Sequence, residues 1–379
     1  MQYYAPRWLP GGQAQTIWPA LFSRRYFGPA PVYHRARWDA PDGDFVDVDF
    51  AVAADTGSGA NTYQDIAAKA LPPTEAKLAT ANRAVPEAFA NDAAHDAIHN
   101  AIYNTACNAT THADQPLLVL FHGLEGSSRS HYAEAFADWA AQHGWAYAVP
   151  HFRGCSGEIN RAPRAYHSGD YEEIGWILQR MRREHGTRRI IAVGVSLGGN
   201  ALMRWAQEMG DAAASVVSAV VSVCSPLDLA ASGHAIGSGF NRQVYTRMFL
   251  RTMKPKALER LALHPTLFNR DKLLATRDLY EFDNLFTAPL HGFKNTDDYW
   301  SRASAKPHMR RIRIPALVLN AQNDCFVPIA SLPQLHEVSP SVTLWQPRHG
   351  GHVGFPAGGP PGHVRALPNA VGAWLLQNT

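Results

Sequence analysis

A chain of 379 residues is too long for one small module and holds either one large α/β domain or two smaller ones. With 46% hydrophobic and 18% charged residues it can bury a sizeable core, which excludes global disorder. The excess of Lys and Arg over Asp and Glu is only +3 and is spread along the chain, which argues against nucleic acid as a partner.

Residues 32–38 read as a strand. In 44–52 (DFVDVDFAV) apolar and acidic residues alternate, the pattern of a half-exposed edge strand. The stretch 54–114 is rich in Ala, Asn, Thr and Asp and has few large apolar side chains. Such a segment buries too little apolar area to offset chain entropy. It reads as a surface insertion, partly helical at 75–82 and 91–103. Residues 116–121 (PLLVLF) are a continuous apolar run, as expected of a strand buried on both faces of a parallel sheet. A helix over 132–143, a strand over 145–149, a helix over 170–185, a strand over 189–195, a helix over 200–209 and a buried strand over 215–224 follow. This alternation predicts an α/β fold with a mostly parallel, doubly wound sheet. From 225 to 307 the pattern turns helical and irregular, with Phe240, Tyr245, Met248, Phe249 and Met253. It reads as a helical cap set between two strands. The sheet resumes at 314–319 and 342–346, and a last helix ends near 377. The expectation is one domain over 1–379, carrying the 54–114 insertion and the 225–307 cap.

Four cysteines (Cys107, Cys155, Cys224 and Cys325) with no C-x-x-C pair build neither a disulfide framework nor a zinc ribbon. The first ten residues have two prolines and no apolar run, so they do not read as a signal peptide. The expectation is a cytoplasmic protein. An apolar cap can still dock on lipid without a spanning helix. His95 and His99 lie four apart, but no His-Glu-x-x-His surrounds them, and they read as an exposed helix face.

The sharpest motif is Gly194-Val195-Ser196-Leu197-Gly198, a G-x-S-x-G that follows a strand and opens a helix. A serine there sits on a tight turn, and Gly194 and Gly198 keep the neighbouring backbone close. A serine hydroxyl needs a base, and the expected order is Ser, acid, His. Asp324 ends the loop after a predicted strand and is preferred over Asp228. His352, flanked by Gly351 and Gly354, is preferred over His349. An oxyanion would be met by the N–H groups of Leu197 and of Leu124, the latter after the Phe121-His122-Gly123 turn. His122 reads as a hydrogen-bonded ring that holds this turn, and Ser127 and Ser128 as caps of the next helix.

Six stretches then add up to a family resemblance: 7–18 (RWLPGGQAQTIW), 122–128 (HGLEGSS), 151–157 (HFRGCSG) with 166–169 (YHSG), 194–200 (GVSLGGN), 287–293 (TAPLHGF) and 350–355 (GGHVGF). The chain resembles the α/β-hydrolase superfamily and, within it, the YheT-like hydrolases, whose eukaryotic relatives include membrane-associated esterases and phospholipases. The resemblance implies Ser196 as nucleophile, Asp324 as acid and His352 as base, the same residues chosen above. One departure is clear. The family passes almost directly from the strand near Asp49 to the strand near Leu117, where this chain adds about 60 residues.

The expected function is a serine hydrolase that cleaves short- to medium-chain or lipid-like carboxylic esters through an acyl-enzyme. It takes a small-molecule ester and calls for no metal or organic cofactor. An acyltransferase with an alcohol acceptor, or a binding protein on the same fold, are the competing expectations.

Overall fold

The structure, a computed structural model, describes residues 2–52 and 115–379. The 54–114 insertion, its two predicted helices and the His95/His99 pair lie outside the described residues.

Among the described residues eight strands form one sheet in the order β1-β2-β4-β3-β5-β6-β7-β8. They are β1 (Tyr33–Asp39), β2 (Phe45–Ala51), β3 (Leu117–Phe121), β4 (Ala146–Pro150), β5 (Ile190–Val195), β6 (Ala219–Val223), β7 (Ala316–Leu319) and β8 (Val342–Trp345). From β4 to β8 every neighbouring pair is parallel. Only the pairings of β2, with β1 and with β4, are antiparallel. Helices cover both faces, so the sheet is the mostly parallel, doubly wound one expected.

The β3 run shows why its sequence is apolar without a break. Leu117, Val119 and Phe121 pack on one face against α3 (Tyr171–His185) and α4 (Leu197–Met209). Leu118 and Leu120 pack on the other against α2 (His131–Gln142) and α7 (Ala366–Asn378). Both faces of the pleat are covered, so every position must be apolar. Each such side chain contributes roughly 1.5–3 kcal/mol on burial. Helix α3 carries its own boundary signals. Asp170 caps it by accepting the Glu173 N–H, two acids fill its first turn, and Arg182, Arg183 and His185 fill its last.

Three expectations are corrected here. The strand predicted over 215–224 begins only at Ala219, because Gly210–Ser215 folds as a 3₁₀ turn. The half-exposed edge strand predicted over 44–52 is an inner strand, and its acids are buried. Asp47 and Asp49 are 1% and 4% exposed. The true edge is β1, which supplies their partners in register. Arg37 lies opposite Asp47 and Arg35 opposite Asp49, each as a bidentate pair at 2.7–3.0 Å. Asp49 also accepts from Ser128 Oγ at 2.6 Å and lies 2.9 Å from His151 Nε2. Ser128 is therefore committed to Asp49 and does not cap α2. The alternation in the sequence is real, but it marks charge pairing rather than solvent.

Burial alone would raise the Asp49 pKa. Hydrogen bonds from His151, Arg35 and Ser128 outweigh it and hold the carboxyl well below the usual carboxylate range. A depressed folded pKa stabilises the fold above the unfolded value, roughly 3.9, and that contribution is lost as pH falls below it. Asp49→Ala should cost about 3 kcal/mol at neutral pH. In urea titrations the gap between variant and wild type should narrow below about pH 4. A gap that is absent at neutral pH, or constant into acid, would contradict this account.

Candidate active site

Ser196 stands between β5 and α4 with φ 53° and ψ −121°, a backbone region that disfavours side chains. Its N–H is held by the Val223 carbonyl at 2.8 Å, which pins the turn to β6. The turn is possible only because backbone meets backbone around it. A Cβ on Gly194 would lie 2.4 Å from Gly199 Cα, and one on Gly198 would lie 2.5 Å from the Phe121 and His122 carbonyl oxygens. Gly199, not singled out from the sequence, is equally constrained, since its Cβ would fall 1.9 Å from Ser225 Oγ.

The structure brings Ser196, His352 and Asp324 together. His352 Nε2 lies 3.0 Å from Ser196 Oγ. His352 Nδ1 lies 2.9 and 3.1 Å from the two Asp324 oxygens. Asp324 also accepts the N–H groups of Phe326 and Val327. An acid acceptor at Nδ1 places the proton there and leaves Nε2 free to accept from the serine hydroxyl. Of the rivals, Asp228 is used as the N-cap of α5 (Leu229–Ile236), accepting from Ala231 N–H at 3.0 Å, and His349 is exposed.

Sequence reasoning missed what positions Asp324 and His352. Both hang from the N-terminal helix α1 (Gly12–Leu21). Thr16 Oγ1 accepts the His352 N–H at 2.8 Å. Gln15 Oε1 accepts from Gly350 N–H and from Asn323 Nδ2, both at 3.0 Å. Asn323 in turn accepts from Gly351 N–H. The helix and loops touch so closely that a Cβ on Gly12 would lie 1.9 Å from the Asn323 carbonyl oxygen, and one on Gly354 would lie 1.7 Å from that of Gln15. The 7–18 stretch pointed to a family, but no spacing rule tied it to residues more than 300 positions away.

The turn after β3 faces the serine. Gly123 is so near that a Cβ there would lie 3.2 Å from Ser196 Cβ. Tyr132 Oη accepts the Gly123 N–H, and Tyr166 Oη accepts that of Glu125, whose φ is 57°. His122 Nε2 accepts from Phe152 N–H at 3.1 Å, and its Nδ1 lies 2.7 Å from the Gly123 carbonyl. Burial pushes its pKa down to about 3, so it is a neutral strut for the turn. Leu124 and Leu197 line the same cavity as Ser196.

That cavity has a volume of about 1050 Å³, its open mouth included. Much of its wall comes from the helical stretch between β6 and β7: Leu229, Ile236, Phe249, Met253, Phe282 and Phe286. Lys256 of α6 (Arg247–Leu263) reaches Glu125 at 2.8 Å and ties this stretch to the turn after β3. Among the described residues no three His, Cys, Asp or Glu side chains group closely enough to hold a metal ion.

A family model for the α/β hydrolase fold matches residues 116–358, which is more than half of the chain. The chain belongs to the α/β-hydrolase fold family. It is similar to YheT of Escherichia coli (strain K12), at 42% identity over 246 residues, 64% of this chain and 72% of that one. It is thus a YheT-like member of the family. It is also similar to two Saccharomyces cerevisiae proteins. One is a monoacylglycerol lipase, 28% identical over 64% of this chain and 55% of the lipase. The other is medium-chain fatty acid ethyl ester synthase/esterase 2, 29% identical over 64% of this chain and 58% of the synthase. The chain thus spans less than two thirds of either yeast relative. Esterase- and lipase-type relatives support ester hydrolysis in general.

Thr16→Val should leave the His352 N–H without its acceptor, at a cost of about 1–3 kcal/mol. Steady-state kcat on p-nitrophenyl esters should fall about tenfold. An unchanged kcat in a variant of unchanged thermal stability would remove Thr16 from this role.

Proposed function

We propose that this hydrolase cleaves carboxylic esters by a serine mechanism, with Ser196 as nucleophile, His352 as general base and Asp324 as the residue that orients the ring. The single observation that carries this reading is the continuous chain of hydrogen-bond contacts from Ser196 Oγ to His352 and on to Asp324. His352 takes the serine proton as Oγ attacks the ester carbonyl. The N–H groups of Leu124 and Leu197 receive the oxyanion, and Asp324 stabilises the imidazolium. His352 then returns its proton to the leaving alcohol, and the acyl group stays on Ser196. Water, activated by the same ring, releases the acid. In this reading the chain is a single hydrolase domain, the helical stretch from 225 to 307 is its cap, and the apolar wall takes a short- to medium-chain or lipid-like acyl group.

The relative named as both synthase and esterase favours one second reading, in which an alcohol replaces water at the deacylation step. Added ethanol separates the two. Ethyl ester formation faster than acid release supports acyl transfer, and acid alone supports hydrolysis.

The cap also has a face suited to lipid. Among the described residues no helix is long and apolar enough to cross a membrane. Phe240, Val244 and Met248 are nevertheless 53%, 37% and 51% exposed and stand four residues apart. Arg242, Arg247, Arg251 and Lys254 line a groove beside them. Apolar side chains flanked by basic ones match an interfacial surface. The inner face of the same helix, through Phe249, Met253 and Lys256, lines the cavity.

Two predictions follow from this reading. Wild type should be labelled by a fluorophosphonate probe and should turn over p-nitrophenyl esters, whereas Ser196→Ala should do neither. Equal labelling of both proteins would sink the serine assignment. In flotation assays wild type should rise with anionic vesicles, and the Phe240→Asp, Met248→Asp double variant should stay behind. Loss of neither binding nor flotation in that variant would reject the cap as the lipid-facing surface.

A further inference from the structure

The wall of the cavity is mostly apolar but also carries Glu125, Arg153, Lys256, Arg260 and Asp283, and of its two carboxylates Glu125 is paired with Lys256. Asp283 is the other, and no cation approaches this carboxylate among the described residues. Its neighbours are two neutral donors: Thr287 Oγ1 at 2.7 Å and Trp300 Nε1 at 2.9 Å. Burial raises its pKa to about 6, against the pull of those two hydrogen bonds. Asp283 opens a π-helical turn, Asp283–Thr287, set between short α-helical pieces. Single π-turns inside α-helices are frequent at functional sites.

Among the described residues one polar group on this wall has no partner at all. Ser232 of α5 also lines the cavity, is 2% exposed, and its Oγ has no hydrogen-bond partner among the described residues. The two are joined by Trp300. Its indole donates to Asp283, and its ring lies so close to Gly233, next to Ser232, that a Cβ there would be 2.3 Å away. Neither polar group takes part in the serine chemistry. A half-buried carboxylate without a cation keeps acceptor capacity to spare, and an unpaired buried hydroxyl costs stability unless something completes it.

Their chemistry specifies what that is. The carboxylate only accepts, whereas the Ser232 hydroxyl can donate as well. A neutral hydroxyl is complementary to both, since it can donate to a carboxylate and accept from a serine hydroxyl. It also enters a mostly apolar cavity, already lined by Arg153, Lys256 and Arg260, at far lower cost than an ammonium group.

We propose that Asp283 and Ser232 form a hydroxyl-recognising subsite, so that the preferred esters carry a free hydroxyl away from the scissile bond. The proposal rests on the serine-hydrolase reading above and names the substrate class of that site. A hydroxyl can reach the subsite from the acyl side or from the alcohol side, as in a polyol ester.

The test is kcat/KM on two matched sets with the full chain. One set pairs p-nitrophenyl alkanoates with the same esters bearing a hydroxyl at successive acyl carbons. The other pairs glycerol monoesters with methyl esters of the same acids. At least one hydroxylated ester should exceed its plain counterpart by about tenfold or more. Preference in the first set assigns the hydroxyl to the acyl side, and preference in the second assigns it to the alcohol side. Ser232→Ala should reduce that ratio several-fold, and Asp283→Leu should bring it close to one. Because Asp283→Leu removes an anchor of Trp300, its folding is checked by the rate of fluorophosphonate labelling. Ser232→Ala, with no bond to lose, tests the subsite independently. No preference in wild type, a preference that survives both variants, or a stronger preference for the matching amino esters would overturn the proposal. Absence of turnover on every ester, with no labelling of Ser196, would instead overturn the underlying serine mechanism.

Discussion

The whole site depends on how closely β5 and α4 approach each other at Ser196. The serine is held at φ 53° on the end of a central strand. Its neighbours at Gly194, Gly198 and Gly199 have no room for a methyl group. This costs the chain a strained serine, of the order of 1–3 kcal/mol, and confines three positions to one residue type. In exchange the hydroxyl is presented at the carboxyl edge of the sheet, with a helix N-terminus directly behind it. The edge also fixes where partners can come from. The turn after β3 is next to β5 in the sheet, and the loops after β7 and β8 carry Asp324 and His352 from the same edge.

A strained serine is useful only if its partners are held as firmly. Loops after strands are ordinarily mobile, because few buried contacts restrain them. Here α1 supplies the missing restraint, with Gln15 and Thr16 bonded to both loops at once. Gln15 is 2% exposed, so its bonds form away from competing water. The N-terminal residues thus act on the site through the loops that bear Asp324 and His352.

What the sequence made legible follows from which constraints are local. The elbow could be read because its glycines, strand and helix lie within about fifteen residues. Asp324 and His352 could be chosen because chain order and strand-then-loop context narrow the field. The α1 buttress could not, since its contacts span more than 300 residues and leave no periodicity. Asp47 and Asp49 misled for a related reason. Alternating acids mark one face of a strand, but only the sheet order reveals that the face is covered by Arg35, Arg37 and His151. The subsite residues Asp283 and Ser232 lie in an irregular helical stretch where no motif distinguishes a buried carboxyl from a solvated one.

The sheet order also explains how this chain accommodates the extra residues between β2 and β3. β2 runs antiparallel to β4, and β3 runs parallel to β4. Phe50, near the end of β2, pairs with Ala148, and Leu117, at the start of β3, pairs with Ala146. Both attachment points therefore lie at the amino edge of the parallel strands. Ser196 and the loops bearing Asp324 and His352 lie at the carboxyl edge. A connection at the amino edge can lengthen without displacing a residue of the site. Its entropic cost grows slowly, by about 0.6 kcal/mol for each doubling of length. The extra residues thus leave and rejoin the sheet at the edge opposite Ser196, Asp324 and His352.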